Sequence, residues 1–117
     1  MYAHRALWRS GEDLAASFYT RRGFRILARN YRVPGGEIDI VARRGSLLVF
    51  CEVKARATDR FGLPAEAVHR RKQARIKRLA GAWLSQNRPG RVRVRFDVVS
   101  VIVSGDRLDL THLPGAF

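Results

Sequence analysis

The segment from Gly36 to Lys54 constrains this chain more than any other, because its pattern admits one strand register. Two runs, Gly36 to Arg44 and Leu47 to Lys54, flank Gly45-Ser46. A glycine at the first central position of a two-residue loop predicts a type II′ hairpin. With those residues as the loop, Arg44 faces Leu47, and Ala42 with Val49, Ile40 with Cys51 and Ile38 with Val53 form one wholly apolar face. The other face pairs Arg43 with Leu48, Val41 with Phe50, Asp39 with Glu52 and Glu37 with Lys54. A slip of one residue would exchange the two faces, so burial of either one specifies the pairing.

Directly opposed residues on an antiparallel pair hold their Cβ atoms about 4.5–5.5 Å apart, and like charges there are destabilising. Asp39 facing Glu52 therefore needs relief: one carboxyl takes up a proton, or a cation sits between them as in oxygen-ligand magnesium sites. Acids on a solvated edge would need neither, but closely opposed carboxylates cluster at functional sites. Lys54 serves as cross-strand partner of Glu37, or supplies what phosphodiester hydrolysis needs, a cation near the attacking water or the developing phosphate charge. Glu12 either answers the helix dipole alone or adds a further carboxylate from a helix packed on the sheet.

Charge narrows the class of partner. With 23 Lys plus Arg against 10 Asp plus Glu, the formal charge is +13. The isoelectric point is near 11.5. Such a balance predicts a polyanionic partner, most often nucleic acid. Lysine occurs only at Lys54, Lys72 and Lys77, and the arginines that supply the rest suit forked contacts to phosphate oxygens. A length of 117 residues predicts one domain, residues 1–117. No apolar core of signal-peptide length and no run of about 18 apolar residues is present, so a cytoplasmic protein without a membrane partner is expected. The single cysteine, Cys51, is expected in the core, and His4, His69 and His112 have no zinc-binding spacing.

Along the chain, Ser10 or an earlier residue opens a first helix running to about Arg22, with Leu14, Ala15 and Phe18 as its apolar stripe and Gly23 at C′. Phe24 to Val33 reads as a strand, closed by Pro34-Gly35-Gly36 ahead of the hairpin. Ala55 to Leu63 reads as a loop beside the acidic face. Pro64 opens a second helix, with Glu66 in its first turn, that continues to about Asn87, where Pro89-Gly90 stops it. Its apolar stripe is Ile76, Leu79, Ala80, Trp83 and Leu84; its cationic side carries Arg70, Arg71, Lys72, Arg75, Lys77 and Arg78. Like charges at that spacing repel, and bound phosphates would relieve them. Val92 to Val103 reads as a strand entering the sheet centre. Gly105-Asp106 turns it into a last strand, Arg107 to Leu113, with Phe117 in a tail that docks on the body. The order predicts an α/β protein with a mixed sheet covered by helices.

These residues also carry a resemblance. Gly11-Glu12, Asn30-Tyr31-Arg32, Gly36-Glu37-Ile38-Asp39-Ile40-Val41-Ala42, Phe50-Cys51-Glu52-Val53-Lys54-Ala55-Arg56, Phe61-Gly62, Lys72, Arg95-Phe96-Asp97-Val98-Val99 and Ala116-Phe117 look like the YraN family of bacterial proteins. That family in turn resembles archaeal Holliday junction resolvases and the restriction-endonuclease-like nucleases with a PD-(D/E)xK site. The resemblance implies a restriction-endonuclease-like αβββαβ core and a site of Glu12, Asp39, Glu52 and Lys54. It further implies a magnesium- or manganese-dependent endonuclease acting on DNA, including branched junctions, and a homodimer. Asp39 and Glu52 would hold the metal with the backbone carbonyl of Val53. Arg56, Arg60 and the second helix would grip the nucleic acid backbone. Glu37-Ile38 stands before Asp39 where the wider nuclease pattern has proline, which leaves the role of Glu37 open. The alternatives are a nucleic-acid-binding protein that keeps the nuclease fold without chemistry, and an RNA- or ribosome-associated basic protein.

Overall fold

The computed structural model describes residues 2–57 and 69–117, with side chains from residue 9 onward. The elements are α1 (Tyr2–Arg21), β1 (Arg25–Val33), β2 (Gly36–Arg44), β3 (Leu47–Arg56), α2 (Arg70–Asn87), β4 (Arg93–Ser104) and β5 (Arg107–Leu113). The strands form one sheet in the order β1-β2-β3-β4-β5. Only β3 and β4 run parallel; the other neighbours are antiparallel. This is the mixed α/β sheet expected, consistent with a restriction-endonuclease-like core. Among the described residues no helix is long and apolar enough to cross a membrane.

Helix α1 ends as Gly23 dictates. Phe24 N–H donates to the Tyr19 carbonyl and Gly23 N–H to that of Thr20, a Schellman closure with Gly23 at φ +85°. The Tyr19 and Phe24 rings meet edge to face across it, 5.3 Å between centroids. Helix α2 differs from expectation. His69 is extended at φ −83°, ψ 174°, so the helix begins at Arg70 rather than running on from Pro64. Pro64, Glu66 and Arg60 lie outside the described residues. Ala55 and Arg56 belong to β3 rather than to a loop, because they continue its parallel pairing with Val101 and Ile102.

The hairpin turns at Gly45, φ +59°, with Arg44 opposite Leu47 and the expected register as far as Ile40 opposite Cys51. One apolar layer, containing Ile40, Ala42, Val49, Cys51 and Val53, packs under Ala15 and Tyr19 of α1. The other, containing Val41, Leu48 and Phe50, packs under Leu79, Ala80 and Trp83 of α2. Phe117 stacks on Phe96 at 5.2 Å, so the tail docks as expected.

Two corrections lie where β2 approaches the acids. Ile38 joins the α2 layer rather than that of Ile40. The cause is visible in β1, where Asn30 takes a left-handed φ of +52°. Strand side chains alternate with period two, so Arg29 and Tyr31 should share a face. Instead Arg29 pairs with Asp13 of α1 while the Tyr31 hydroxyl bonds Gln86 of α2. The alternation breaks at Asn30, between the pairs Arg29 with Ile40 and Tyr31 with Ile38, directly across from Asp39. The second correction concerns β2 and β3: their ladder stops at Ile40 and Cys51, so the pairs Asp39 with Glu52, Ile38 with Val53 and Glu37 with Lys54 do not form.

Candidate active site

Where the ladder stops, a side chain takes over. Asp39 Oδ2 accepts the Val53 N–H at 2.7 Å, satisfying on β3 a donor that the missing backbone partner would have taken. Asp39 is thereby drawn between the parting strands and is 2% exposed. Burial, and then the neighbouring Glu52, push its carboxyl up to about 8, against the opposing pull of the Val53 N–H. Glu12 and Glu37 push in the same direction. The repulsion expected from the hairpin register thus survives the loss of the register at this point.

Glu12 reaches the same region because of the residue before it. Gly11 lies in the interior of α1, where glycine costs about 1 kcal/mol relative to alanine. A Cβ at Gly11 would stand 2.7 Å from that of Ala55, so the glycine lets α1 sit hard against β3. Glu12 is consequently buried, 6% exposed, and its Oε1 has no hydrogen-bond partner. Burial raises its carboxyl above the ordinary range despite the opposing charge of Arg29.

On the α2 side, a cleft of about 230 Å³ is lined by Gly36, Glu37, Asp39, Glu52, Lys72 and Arg75, with Ile76 and Leu79 at its base. Lys72 Nζ lies 2.6 Å from Glu52 Oε1. Lys54 is half-buried beside them, and burial followed by the proximity of Lys72 holds its ammonium below the usual lysine range. On the α1 side, a second cleft of about 590 Å³ is lined by Arg9, Glu12, Asp13, Arg29, Asn30, Arg32 and Glu37. Glu37 borders both clefts and is held by Arg32 Nε at 2.8 Å rather than by Lys54.

The expected basic face divides. Lys72 and Arg75 line the cleft beside Asp39 and Glu52. Arg78 reaches the Gly35 turn, its Nη2 3.8 Å from where a Cβ on Gly35 would stand. Lys77 lies on the other flank of α2, over the Phe96 and Phe117 rings at 5.8 and 5.9 Å. Arg70 and Arg71 are exposed at the start of α2. Arg56 is half-buried at the end of β3, with Nε and Nη2 lacking hydrogen-bond partners.

Among the described residues no three His, Cys, Asp or Glu side chains are gathered closely enough to hold a metal ion on their own. The donor set is two neighbouring carboxylates, Asp39 and Glu52. A residue's N–H and C=O lie on the same edge of a strand, so the Val53 carbonyl faces Asp39 as well. That set suits magnesium, which keeps several waters and takes one or two carboxylates. Glu12 Oε1, unpartnered on the α1 side, is a buried acceptor whose charge acts on Asp39.

A different buried acid, Asp97, belongs to the Arg95-to-Val99 motif but has no role that the sequence alone assigns. Asp97 on β4 receives Arg95 through both oxygens at 2.8 and 2.9 Å, the Tyr19 hydroxyl at 2.7 Å, Gly115 N–H at 3.1 Å and His112 Nε2 at 2.8 Å. Its signal was an acid inside an otherwise apolar stretch of strand. It ties α1, β4, β5 and the tail together, away from the cleft.

The profile of "Uncharacterised protein family UPF0102" matches residues 11–101. The chain belongs to UPF0102. This is the YraN family that the sequence resembles. The UPF0102 protein of Dictyoglomus thermophilum is 50% identical over 109 residues, covering 92% of each chain. That of Syntrophotalea carbinolica is 47% identical over 116 residues, 99% of this chain and 94% of the relative. That of Frankia casuarinae is 48% identical over 118 residues, spanning both chains fully. The UPF0102 match begins at Gly11, so it includes the Gly11-Glu12 pair together with Asp39, Glu52 and Lys54.

Proposed function

We propose that this UPF0102 protein is a magnesium- or manganese-dependent endonuclease that hydrolyses DNA phosphodiester bonds, branched junctions included. The observation that carries the reading is the placement of Asp39 and Glu52, two buried neighbouring carboxylates at the point where the β2–β3 ladder stops, with Lys72 bound to Glu52 and Lys54 beside Lys72. Asp39, Glu52 and the Val53 carbonyl would hold the ion, which supplies Lewis-acid activation of water and neutralises charge on the phosphate. Lys54, its ammonium held low by burial, would steady the attacking water or the charge developing on a phosphate oxygen. Glu12 orients water from the α1 side. Arg75 lines the cleft and Arg78 reaches the adjoining Gly35 turn, and forked contacts from both would hold the phosphates either side of the cut. A homodimer would present two such clefts to a two-fold junction.

Cleavage of labelled four-way junctions in magnesium, by wild type and by Asp39→Asn and Lys54→Ala, tests the reading. We expect both variants to lose at least about 100-fold in rate, the order seen when a charge-stabilising group is removed. Equal cleavage by all three would sink it. One observation favours a binding protein without chemistry: Glu52 already has a cation, Lys72. Junction binding without cleavage in any divalent metal would establish that alternative.

A further inference from the structure

Lys72 stands in an unfavourable place for a helix. It lies in the first turn of α2, which contains no acid and whose N-cap, His69, makes no side-chain capping bond. Arg70, Arg71 and Lys72 therefore set three cations against the positive end of the helix dipole. Exposed Arg70 and Arg71 meet that repulsion in solvent, where it is weak. Lys72 instead turns inward, its side chain 22% exposed, and meets Glu52 Oε1 at 2.6 Å. Lys54 is already a charged neighbour of Lys72 and Glu52, and among the described residues no third acid stands close enough to hold an ion together with Asp39 and Glu52, since Glu37 at the cleft wall is taken by Arg32. The ammonium of Lys72 thus occupies one of the few oxygens that a divalent ion at this site would use.

Resting on the metal-site reading above, we propose that Lys72 is a placeholder cation: it holds the Glu52 carboxylate while the site lacks a divalent ion, and the ion displaces it towards the substrate phosphate. An ammonium and a divalent ion cannot both sit within 3 Å of one carboxylate oxygen without strong mutual repulsion. The flexible four-carbon stem of lysine allows the head to swing clear while α2 stays seated. Its new neighbourhood is the rim with Arg75, so the released charge joins the phosphate-binding side of the cleft. Metal entry and substrate grip are thereby coupled through one side chain.

Lysine labelling reads this directly, since Lys54, Lys72 and Lys77 are the only lysines of the chain. Reductive methylation followed by mass spectrometry gives the reactivity of each, with Lys77 as internal reference. In wild type without nucleic acid, saturating manganese should raise Lys72 labelling several-fold and leave Lys77 unchanged. Glu52→Gln should raise Lys72 labelling without metal, because the pair is gone. A manganese titration followed by electron paramagnetic resonance should show Lys72→Met binding the ion about tenfold more tightly than wild type, and Lys72→Arg, which keeps the charge, binding no more tightly than wild type. Manganese uptake by wild type with Lys72 labelling unchanged would overturn the placeholder role and leave the metal site standing. Unchanged Lys72 labelling in Glu52→Gln would overturn it as well. Absence of manganese uptake by wild type and by Lys72→Met would remove the metal site itself, and the placeholder with it.

Discussion

Asp39 and Asp97 are both aspartates buried in one sheet, 2% and 0% exposed, yet their surroundings have opposite effects. At Asp97 burial alone would push the carboxyl up, but hydrogen bonds from Arg95, His112, Tyr19 and Gly115 outweigh it and hold the carboxyl below its ordinary range. Asp39 has the Val53 N–H and otherwise faces Glu52, Glu12 and Glu37, and its carboxyl rises to about 8. Fixed donors surround the aspartate that holds the fold together. The aspartate of the cleft is left short of them, which is the condition under which an external cation is worth binding.

The largest effect should come from breaking the well-supported member. Asp97→Ala would leave the Arg95 guanidinium and the Tyr19 hydroxyl without their acceptor, and should cost about 3–5 kcal/mol in urea denaturation. Ordinary destabilisation below about 1 kcal/mol would show that the network contributes little.

Asp39→Asn should act in the reverse sense. A raised carboxyl pKa means that the folded state favours the proton, so stability is fully present below the unfolded value near 3.9 and is lost as pH rises towards 8. Wild type without divalent metal should therefore lose stability from pH 5 to pH 8.5. The variant should be about 1–2 kcal/mol more stable than wild type at the upper pH and nearly equal at the lower. Asp97 gives the opposite slope, its contribution present above about 4 and lost as pH falls further through its depressed folded value.

Magnesium should narrow the difference between the two aspartates. At ten times its dissociation constant, it should add about 1.4 kcal/mol to wild type at pH 8, read as a rise in melting temperature. It should add nothing to Asp39→Asn. The smallest effect should come at the strand break: Asn30→Gly, which favours positive φ, should change stability by less than about 1 kcal/mol, whereas Asn30→Ala should cost about 1 kcal/mol.

Much of this arrangement was legible in the sequence because it is local. Gly45-Ser46 and the alternation around it specify register from Arg44 to Ile40, and Gly23 specifies how α1 ends. The face change at Ile38 was not legible, since it depends on one left-handed residue, Asn30, in a strand that reads as continuous. The capture of Glu52 by Lys72 was hidden for a different reason: it depends on where β3 and α2 come to rest in three dimensions, and nothing in their separate patterns encodes that distance. Glu12 was half legible. Its position in α1 is plain, but its burial follows from the contact of Gly11 with Ala55, and a mid-helix glycine reads as a weakness until the packed surface is seen.

The end of the β2–β3 ladder also equips the protein with an intrinsic probe. The Val53 amide proton is held by a carboxylate rather than by a peptide carbonyl, so its magnetic environment tracks the ionisation of that one group. In a nitrogen–proton correlation spectrum, this single resonance should move as Asp39 titrates near pH 8. It would report the state of the cleft before any nucleic acid is added.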